Sequence, residues 1–431
     1  MENANLKMKR EMNVGLYGLG TVGSGVAEIL LKKPHIEGGM KFVLKKIFER
    51  DTSKFKKLNI PLSMQSSQLE EIIKDPQIDV VIELFGGMNP AKKIILDALE
   101  AGKDVVTANK MLMAEEADLI FRKAYEKGRK VGYNASLLGA YPILETLNAF
   151  SISGRLIGKI SGVLNGTTNY ILTEMEKNKS FPESLKTAQK EGYAERDPSL
   201  DIKGMDTAHK MCILLFSVYG VPLRINQFPV EGIQNISLED VKFSKELGYK
   251  IRLLATCSYI NGAYDIRVCP YLIPCEHMFA SFEGVQNGVE VKGFKEGTII
   301  GYSALGAGKY PAAYAVVENL TEIYRENGGH PQFLKSSPLK LINPDNAEFE
   351  YYLRFNVADK IGVLAKISSI LAKHKISIAS VIQKKGEDVN GVPIILVTHR
   401  AKEGFIKKAL EEIDALPIMK RKTTLIRLFE K

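Results

Sequence analysis

A glycine-rich turn near the start of the chain constrains the fold more than any other feature. Residues 18–23 read GLGTVG, after the apolar run NVGLYG and before the helical pattern GSGVAEILLK. Alone the spacing is a weak signal, but between a strand and a helix it indicates a dinucleotide site, where glycines let a pyrophosphate approach the backbone. The alternative is a tight turn that binds nothing. The predicted cofactor contacts in the turn are Gly18, Gly20, Thr21, Val22 and Gly23.

Short apolar runs continue to alternate with helical segments up to residue 133. The run KFVLKKIF ends in ERD, DVVIEL precedes the helical GGMNPAKKIILDALEAGK, and DVVTANK opens a further helix. Such alternation predicts a parallel sheet with helices on both faces. We therefore expect an α/β fold with a doubly wound, Rossmann-type dinucleotide-binding domain over residues 10–133, completed by a helix that returns at 308–327.

Two further domains are expected after residue 133. Residues 134–307 mix strands with a nearly all-apolar helix, which predicts an α+β domain for substrate binding and dimerisation. Residues 331–350 are rich in Pro, Ser and Asn and are predicted to be a linker. Residues 351–431 show the order β-α-β-β-α-β of a ferredoxin-like sandwich, and YYLRFNV alternates apolar and polar residues as a half-buried strand does.

Composition excludes several classes of protein. The 431 residues carry a net charge of +9, but the lysines are scattered without aromatic stacking motifs, which favours an anionic small molecule over nucleic acid. The four cysteines form no zinc spacing. No apolar run reaches the roughly 18 residues of a membrane helix, and the start of the chain lacks a secretory signal. We expect a soluble, cytoplasmic protein with no membrane partner.

The end of the second predicted strand bears on the choice of cofactor. Glu49, Arg50 and Asp51 follow that strand, and Lys54 comes shortly after. An acidic residue at this point binds the ribose hydroxyls of NAD, whereas a basic residue binds the extra phosphate of NADP. The sequence offers both. Arg50 and Lys54 favour NADP slightly, and a solvated charged loop is the alternative.

Carboxylates crowd the segment before the apolar run MCILLFSVYG. Residues 191–210, EGYAERDPSLDIKGMDTAHK, end in Lys210, which lies four positions after Asp206 and therefore on the same helix face. Because a buried charge without a partner is costly, we expect the two to pair. The spacing leaves open whether this pair is structural or whether Lys210 transfers a proton while the upstream acids bind a substrate ammonium group.

Lys110 follows the apolar strand in DVVTANK. In a doubly wound fold the carboxyl ends of the strands face the ligand crevice, so a lysine there can meet a negative substrate or cofactor. A surface lysine at the start of a helix is the alternative.

These motifs together resemble homoserine dehydrogenase in the form that carries a C-terminal ACT regulatory domain. The resemblance covers nearly the whole chain and rests on GLGTVGSGV, GGMNPA, TANKMLMA, GVLNGTTNYIL, AQKEGYAERDPSLDIKGMDTAHK, GAGKYP and DKIGVLAKIS. It implies NAD(P)-dependent interconversion of L-homoserine and L-aspartate 4-semialdehyde, on the route to threonine and methionine.

The resemblance also implies roles for individual residues. Lys210 matches the family's proton donor, and Asp206 and Lys110 complete the catalytic set. The implied substrate contacts are Glu195, Asp206, Asp201 and Tyr193. The implied cofactor contacts outside the glycine turn are Arg50, Lys110, Gly192, Glu195 and Gly306.

One departure from the family pattern concerns a monovalent cation. Asn134 stands where the family usually has a Glu ligand, beside backbone carbonyls that match Leu137, Gly139 and Tyr141. Asn134 still offers a neutral oxygen, but with less attraction for a cation, so the sequence leaves the cation site open.

Other departures concern the surroundings of the nicotinamide. Leu137 and Leu138 replace small residues, Leu305 replaces an Arg, and Ala312 replaces a frequent Thr. They motivate an alternative function, a catalytically weakened homologue that acts as an amino-acid-binding regulatory protein. A dehydrogenase for a related amino-acid aldehyde is a further alternative. The complete catalytic set favours an active homoserine dehydrogenase.

The small domain is expected to regulate the enzyme. ACT domains commonly bind amino acids where the first strand turns into the first helix, which here reads VADKIGVLAKI and contains Asp359 and Gly362. The resemblance implies L-threonine as the effector and a homodimer or larger homo-oligomer. The alternative is a domain that only dimerises the protein.

Overall fold

Parallel strands form the sheet that contains the glycine-rich turn. The computed structural model describes residues 11–32, 35–36, 40–137, 143–152, 157–294, 297–305, 308–325, 338–383 and 391–430. The strands of the first sheet are β1 (Glu11–Tyr17), β2 (His35–Ile36), β3 (Met40–Phe48), β4 (Gln65–Ser66), β5 (Val80–Glu83), β6 (Asp104–Thr107) and β7 (Val131–Gly132). Their order is β2-β3-β1-β5-β6-β7 with β4 beside β3, and each described pair is parallel except β2 with β3. The predicted doubly wound parallel sheet is confirmed.

Helices separate most of the strands along the chain. In order they are α1 (Thr21–Lys32), α2 (Ser53–Lys57), α3 (Glu70–Lys74), α4 (Ala91–Glu100), α5 (Lys110–Lys127), α6 (Ile143–Ile152), α7 (Gly166–Glu176), α8 (Phe181–Lys190), α9 (Ser199–Ile202), α10 (Met205–Tyr219), α11 (Leu238–Glu246), α12 (Lys309–Tyr324), α13 (Val363–Lys373) and α14 (Glu403–Asp414). None of these described helices is long and apolar enough to span a bilayer.

The chain divides into two units. The first comprises the described residues of Met1–Leu156, His209–Arg224 and Ala304–Pro338, and the second those of Ile157–Ala208, Ile225–Ser303 and Leu339–Lys431. The first unit includes α12, which packs closely on α1: a Cβ on Gly25 would lie 2.9 Å from that of Ala313. The domain boundaries expected from the sequence stay a prediction.

A second sheet runs through the second unit. Its remaining strands and one small additional pair are β8 (Ile157–Val163), β9 (Tyr249–Ile260), β10 (Ala263–Pro274), β11 (Gln286–Gly293), β12 (Gly297–Leu305), β13 (Glu348–Phe349), β14 (Tyr351–Val357), β15 (Ile378–Gln383), β16 (Val392–Thr398), β17 (Ala401–Lys402) and β18 (Thr424–Leu428). The nine-stranded order is β12-β11-β8-β9-β10-β18-β14-β16-β15, and β13 pairs with β17. The parallel pairing of β10 with β18 therefore joins the C-terminal module to the middle of the chain.

The C-terminal module has the predicted ferredoxin-like order. Strand β14 is followed by α13, β15, β16, α14 and β18, with the short β17 added before α14. Its core packs the inner face of the sheet against both helices, through Leu353 and Phe355 on β14, Ile367 on α13 and Ile406 on α14.

Strand β14 differs from its prediction because both of its faces are buried. The expected solvent face lies against α11: Arg354 donates from Nε to Asp240 Oδ1 at 2.6 Å and from Nη2 to Oδ2 at 3.0 Å. The hydroxyl of Tyr352 donates to the same carboxylate at 3.1 Å. Polar residues at alternate positions here meet buried charge rather than water.

A second buried charge cluster lies where β18 meets β10. Arg427 donates from Nη2 to Glu403 at 2.8 Å and to Glu231 at 2.8 Å, and Arg267 donates from Nη1 to Glu403 at 2.6 Å. Arg267 also pairs with Asp265 at 2.7 Å. Burial raises the pKa of the Glu403 carboxyl, but the hydrogen bonds and charges of Arg427 and Arg267 outweigh burial and lower that pKa to about 2.

Replacing Arg427 by Met tests how strongly this cluster holds the module. We expect a loss of about 3–5 kcal/mol in the free energy of unfolding, because Glu403 is left buried with fewer partners. The double variant Arg427→Met, Glu403→Met should recover part of this loss, since Glu403 is no longer buried as a charge and Arg267 keeps Asp265. Urea unfolding measures both, with the exposed Arg421→Met as the control. Equal losses in the single and double variants would contradict the pairing.

Candidate active site

The glycine-rich turn has the geometry of a dinucleotide cradle. A Cβ on Gly23 would lie 2.0 Å from the carbonyl oxygen of Gly18, so only glycine allows α1 to start this close to β1. Gly18 has φ +97° and donates its N–H to the carbonyl of Phe48 at 2.9 Å. A Cβ on Gly20 would meet nothing within 4 Å. The residues therefore fit a pyrophosphate held against the open backbone at the start of α1.

Glu49 is tied to this turn. Its Oε2 accepts hydrogen bonds from Leu19 N at 2.8 Å and from Lys54 Nζ at 3.0 Å, and its Oε1 accepts one from Asp51 N at 3.1 Å. Burial raises the pKa of the Glu49 carboxyl, but these hydrogen bonds outweigh it and leave the pKa below its ordinary value. Arg50 is exposed and makes no side-chain hydrogen bond or ion pair within the described part of the chain.

A hydrogen-bonded network holds the loop that carries Lys110. Thr107 at the end of β6 donates to Glu83 Oε2 at 2.6 Å, and Glu83 Oε1 accepts from Phe85 N at 2.6 Å. Thr107 Oγ1 accepts from Asn109 N at 3.0 Å. Asn109 caps α5 by accepting from the N–H of Leu112 at 3.1 Å, which places Lys110 at the first position of that helix.

Glu83 is fully buried at the carboxyl end of β5. Burial raises the pKa of its carboxyl to about 7, although the hydrogen bonds from Thr107 and Phe85 act in the opposite direction. Such a group changes its charge near neutral pH. It lies two hydrogen bonds away from the helix start that carries Lys110.

One amide gathers two of the predicted substrate carboxylates in the second unit. Nδ2 of Asn165 donates to Asp201 Oδ1 at 2.6 Å and to Asp206 Oδ2 at 2.9 Å. Oδ1 of the same side chain accepts from Thr168 N at 2.8 Å and so caps α7. The cap fixes the amide, and the amide fixes the two carboxylates close together.

Asp206 and Lys210 lie on α10, as predicted. Asp206 is in its first turn and is partly exposed, whereas Lys210 is buried with 3% of its surface exposed. The helix begins in the second unit, which contains Asp206, and continues in the first unit, which contains Lys210.

Other predicted residues lie on the turn between α8 and α9. Glu195 is exposed, and its carboxylate makes no hydrogen bond or ion pair to the residues that the structure describes. The ring of Tyr193 packs on that of Tyr170 with centroids 4.9 Å apart. Gly192 has φ +79°, which requires glycine-like freedom at that turn.

The predicted cation ligands are only partly described. The N–H of Asn134 donates to Asn319 Oδ1 at 2.9 Å, and its Nδ2 donates to Glu322 Oε1 at 3.2 Å. A carboxylate therefore lies beside the position where the family has one. Asn134–Ser136 form a short 3₁₀ turn, and Leu137, which follows it directly, is buried. Four predicted residues lie outside the described ones: Leu138, Gly139, Tyr141 and Gly306.

Three polar residues of the site were missed by the sequence analysis as functional residues. Asn165 precedes a helical pattern in LNGTTNYIL, the usual place of an N-cap, and Asn109 does so in TANKMLMA. Glu83 ends the strand in DVVIEL at the edge of the sheet that faces ligands. Capping patterns in the sequence could have identified Asn165 and Asn109, whereas only the structure shows that Glu83 is buried.

Comparison with known proteins gives a consistent result over the whole chain. Residues 142–321 match the family model for homoserine dehydrogenase, residues 18–134 the model for the homoserine dehydrogenase NAD binding domain, and residues 351–417 the ACT domain. The homoserine dehydrogenase of Helicobacter pylori is 38% identical over 98% of this chain and 100% of the relative, and that of Pseudomonas aeruginosa is 37% identical over 94% and 96%. The crystal structure of a homoserine dehydrogenase from Thiobacillus denitrificans has 36% identity and a TM-score of 0.88, over 97% of this chain and 98% of that one.

Glu83→Gln tests the raised pKa. The pKa of Glu83 is 4.5 in the unfolded chain and about 7 in the folded protein, so between these pH values only the folded protein keeps the proton. The stability that this proton contributes is therefore present at low pH and is lost as pH rises through 7. Glutamine has no proton to lose. The stability of the variant relative to wild type should therefore increase by up to about 3 kcal/mol between pH 5 and 8 and stay constant above that.

Urea unfolding at a series of pH values measures this difference. The exposed Glu126→Gln serves as the matched control and should show no such trend. A difference between Glu83→Gln and wild type that does not change with pH would contradict the raised pKa.

Proposed function

Because this chain belongs to the homoserine dehydrogenase family, we propose that it interconverts L-homoserine and L-aspartate 4-semialdehyde with a nicotinamide cofactor, on the route to threonine and methionine. The identity of 37–38% over nearly the whole chain supports this activity over a weakened regulatory homologue and over a dehydrogenase for another aldehyde.

The observation that carries the substrate assignment is the amide of Asn165. Two carboxylates that accept from one NH₂ group lie close enough to repel each other, and a cation stabilises such a pair. The ammonium group of an amino acid is a cation of this kind. Asp201 and Asp206 therefore suit a substrate with a free amino group, and we assign them, with Glu195 and Tyr193, to substrate binding.

We assign the proton transfer to Lys210. The bound nicotinamide supplies or accepts the hydride at the carbon that carries the hydroxyl group. In the reductive direction Lys210 donates a proton to the aldehyde oxygen, and in the oxidative direction its neutral amine takes the hydroxyl proton. Asp206 lies one helical turn before Lys210 on the same helix. Lys110, held by the Glu83 network, orients the substrate or cofactor.

We propose NADP as the preferred cofactor. Glu49 is engaged with the turn and Lys54, whereas the exposed Arg50 follows at the position that reads the 2′-phosphate. Gly18, Gly20, Thr21, Val22 and Gly23 hold the pyrophosphate in this proposal, and Gly192 and Gly306 contribute near the nicotinamide.

The ACT domain supports regulation by a small molecule. We propose L-threonine as the effector, bound where β14 turns into α13; Gly362 there has φ +84° and open space beside its Cα. Adding L-threonine to the assay of the full-length enzyme tests this, and unchanged rates would contradict it. A homodimer, a cytoplasmic location and a cation held by Asn134, Leu137, Gly139 and Tyr141 stay predictions.

A spectrophotometric assay with L-homoserine and either cofactor tests the activity, and Lys210→Met tests the proton donor. We expect turnover by the wild type and a loss of about 10²–10⁴ in kcat for the variant, because a positioned acid–base group contributes that much. The exposed Lys203→Met is the control and should keep wild-type turnover. A folded Lys210→Met variant with more than about a tenth of the wild-type rate would make Lys210 structural.

Arg50→Ala tests the cofactor proposal. Losing a charge-assisted contact to the 2′-phosphate should raise KM for NADP by about 10–100-fold and leave KM for NAD nearly unchanged. Lys57→Ala, another exposed basic residue nearby, controls for general charge. Equal increases for both cofactors would show that Arg50 does not distinguish them.

A further inference from the structure

A cavity of about 540 Å³ lies in the second unit, away from every residue assigned to the reaction. One wall comes from β8, β9 and β10. The others come from the segment that leads into the C-terminal module, from residues 400–402 and from the last residues of β18 and beyond. A molecule in this cavity would touch the catalytic part of the chain and the ACT module at once.

Four of the charged side chains near the cavity form ion pairs, whereas the exposed Lys402 and Glu348 make no described ion pair with each other. Arg400 pairs with Glu430, Asp265 pairs with Arg267, and Lys402 lies opposite Glu348 in the β13–β17 register. Lys159, on β8, makes no hydrogen bond or ion pair to any residue that the structure describes.

The ammonium of Lys159 instead lies over an aromatic ring. Its Nζ is 4.3 Å from the centroid of Phe429, and the residue is half-buried. Burial lowers the pKa of Lys159 and Lys292 acts in the same direction, while the charges of Glu430, Glu290 and Asp265 act against burial. A cation–π contact only partly replaces the hydration that a half-buried ammonium loses. The lining carboxylates Asp265 and Glu430 are already engaged by Arg267 and Arg400, so Lys159 would gain from an anion in the cavity.

The uncharged part of the cavity wall contains aromatic rings, hydroxyls and side-chain amides. Phe349, Phe429 and Tyr271 supply apolar surface, and the Tyr271 hydroxyl lies 3.3 Å from Thr256 Oγ1. Burial keeps the Tyr271 hydroxyl protonated by raising its pKa. Aromatic surface beside converging polar groups is typical of a small-molecule site.

We propose that this cavity binds a small organic anion, with its carboxylate or phosphate on Lys159 and its apolar body against Phe429, Phe349 and Tyr271. This site is separate from the turn after β14, where the threonine effector is proposed, and it does not depend on the proposed reaction.

Calorimetric titration of the full-length protein with phenyl phosphate and with benzoate tests the proposal. NADP is present throughout to occupy the dinucleotide cradle. We expect at least one of the two to bind to wild type, and Lys159→Met to weaken it about tenfold or more, because a charge-assisted contact is lost. Lys159→Arg should keep the affinity within a few-fold, and the exposed Lys422→Met should not change it.

Three results would overturn the site. They are no binding of either compound by wild type, equal binding by Lys159→Met, and equal loss in Lys159→Arg and Lys159→Met. Inorganic phosphate and benzyl alcohol separate the contributions of charge and apolar body, and binding of inorganic phosphate as tight as that of phenyl phosphate would contradict the aromatic wall. Thermal unfolding shows whether each variant is folded. Inactive wild type that still binds phenyl phosphate through Lys159 would reject the proposed reaction and keep this site.

Discussion

The second unit depends on the buried charges around Arg427. The backbone pairing that joins β18 to β10 is only two residues long, Tyr271 with Arg427 and Leu272 with Leu428. So short a ladder holds little by itself, and the side chain of Arg427 completes the join through Glu403 and Glu231. Buried ion pairs add little when every partner is present, but they are costly to break because a charge is then left without its partner. The cluster therefore ties the folding of the C-terminal module to that of the catalytic part.

This join changes how regulation can operate. A freely tethered effector domain could be removed without harm, but cutting this chain near residue 338 would expose the edge of β10. It would also leave Arg267 without Glu403 and Asp240 without Arg354. An effector that alters the C-terminal sheet acts on a continuous structure, and it changes activity only if it binds two states of that structure differently. Effector studies therefore require the full-length enzyme.

The sequence predicted the elements better than their surroundings. The glycine spacing, the strand–helix alternation and the β-α-β-β-α-β order depend on local chemistry, which short windows of sequence contain. The buried outer face of β14 was missed, because alternation shows which residues are polar and not whether water or Asp240 meets them. Ile361 lies at helical spacing from Leu364, yet it precedes α13 and is exposed. The raised pKa of Glu83 likewise depends on packing from distant segments.

The surroundings of a residue also decide the role of Glu49, which follows β3 beside the glycine-rich turn. A carboxylate has about four acceptor positions, and Glu49 uses three of them for Leu19, Asp51 and Lys54. Recognition of a ribose diol would need both oxygens, so Glu49 would have to release the turn that the pyrophosphate needs. Its role in shaping the turn thus competes with a role in reading the ribose. This competition supports the proposal that Arg50 distinguishes the two cofactors, since Arg50 is exposed and makes no described hydrogen bond that holds the loop.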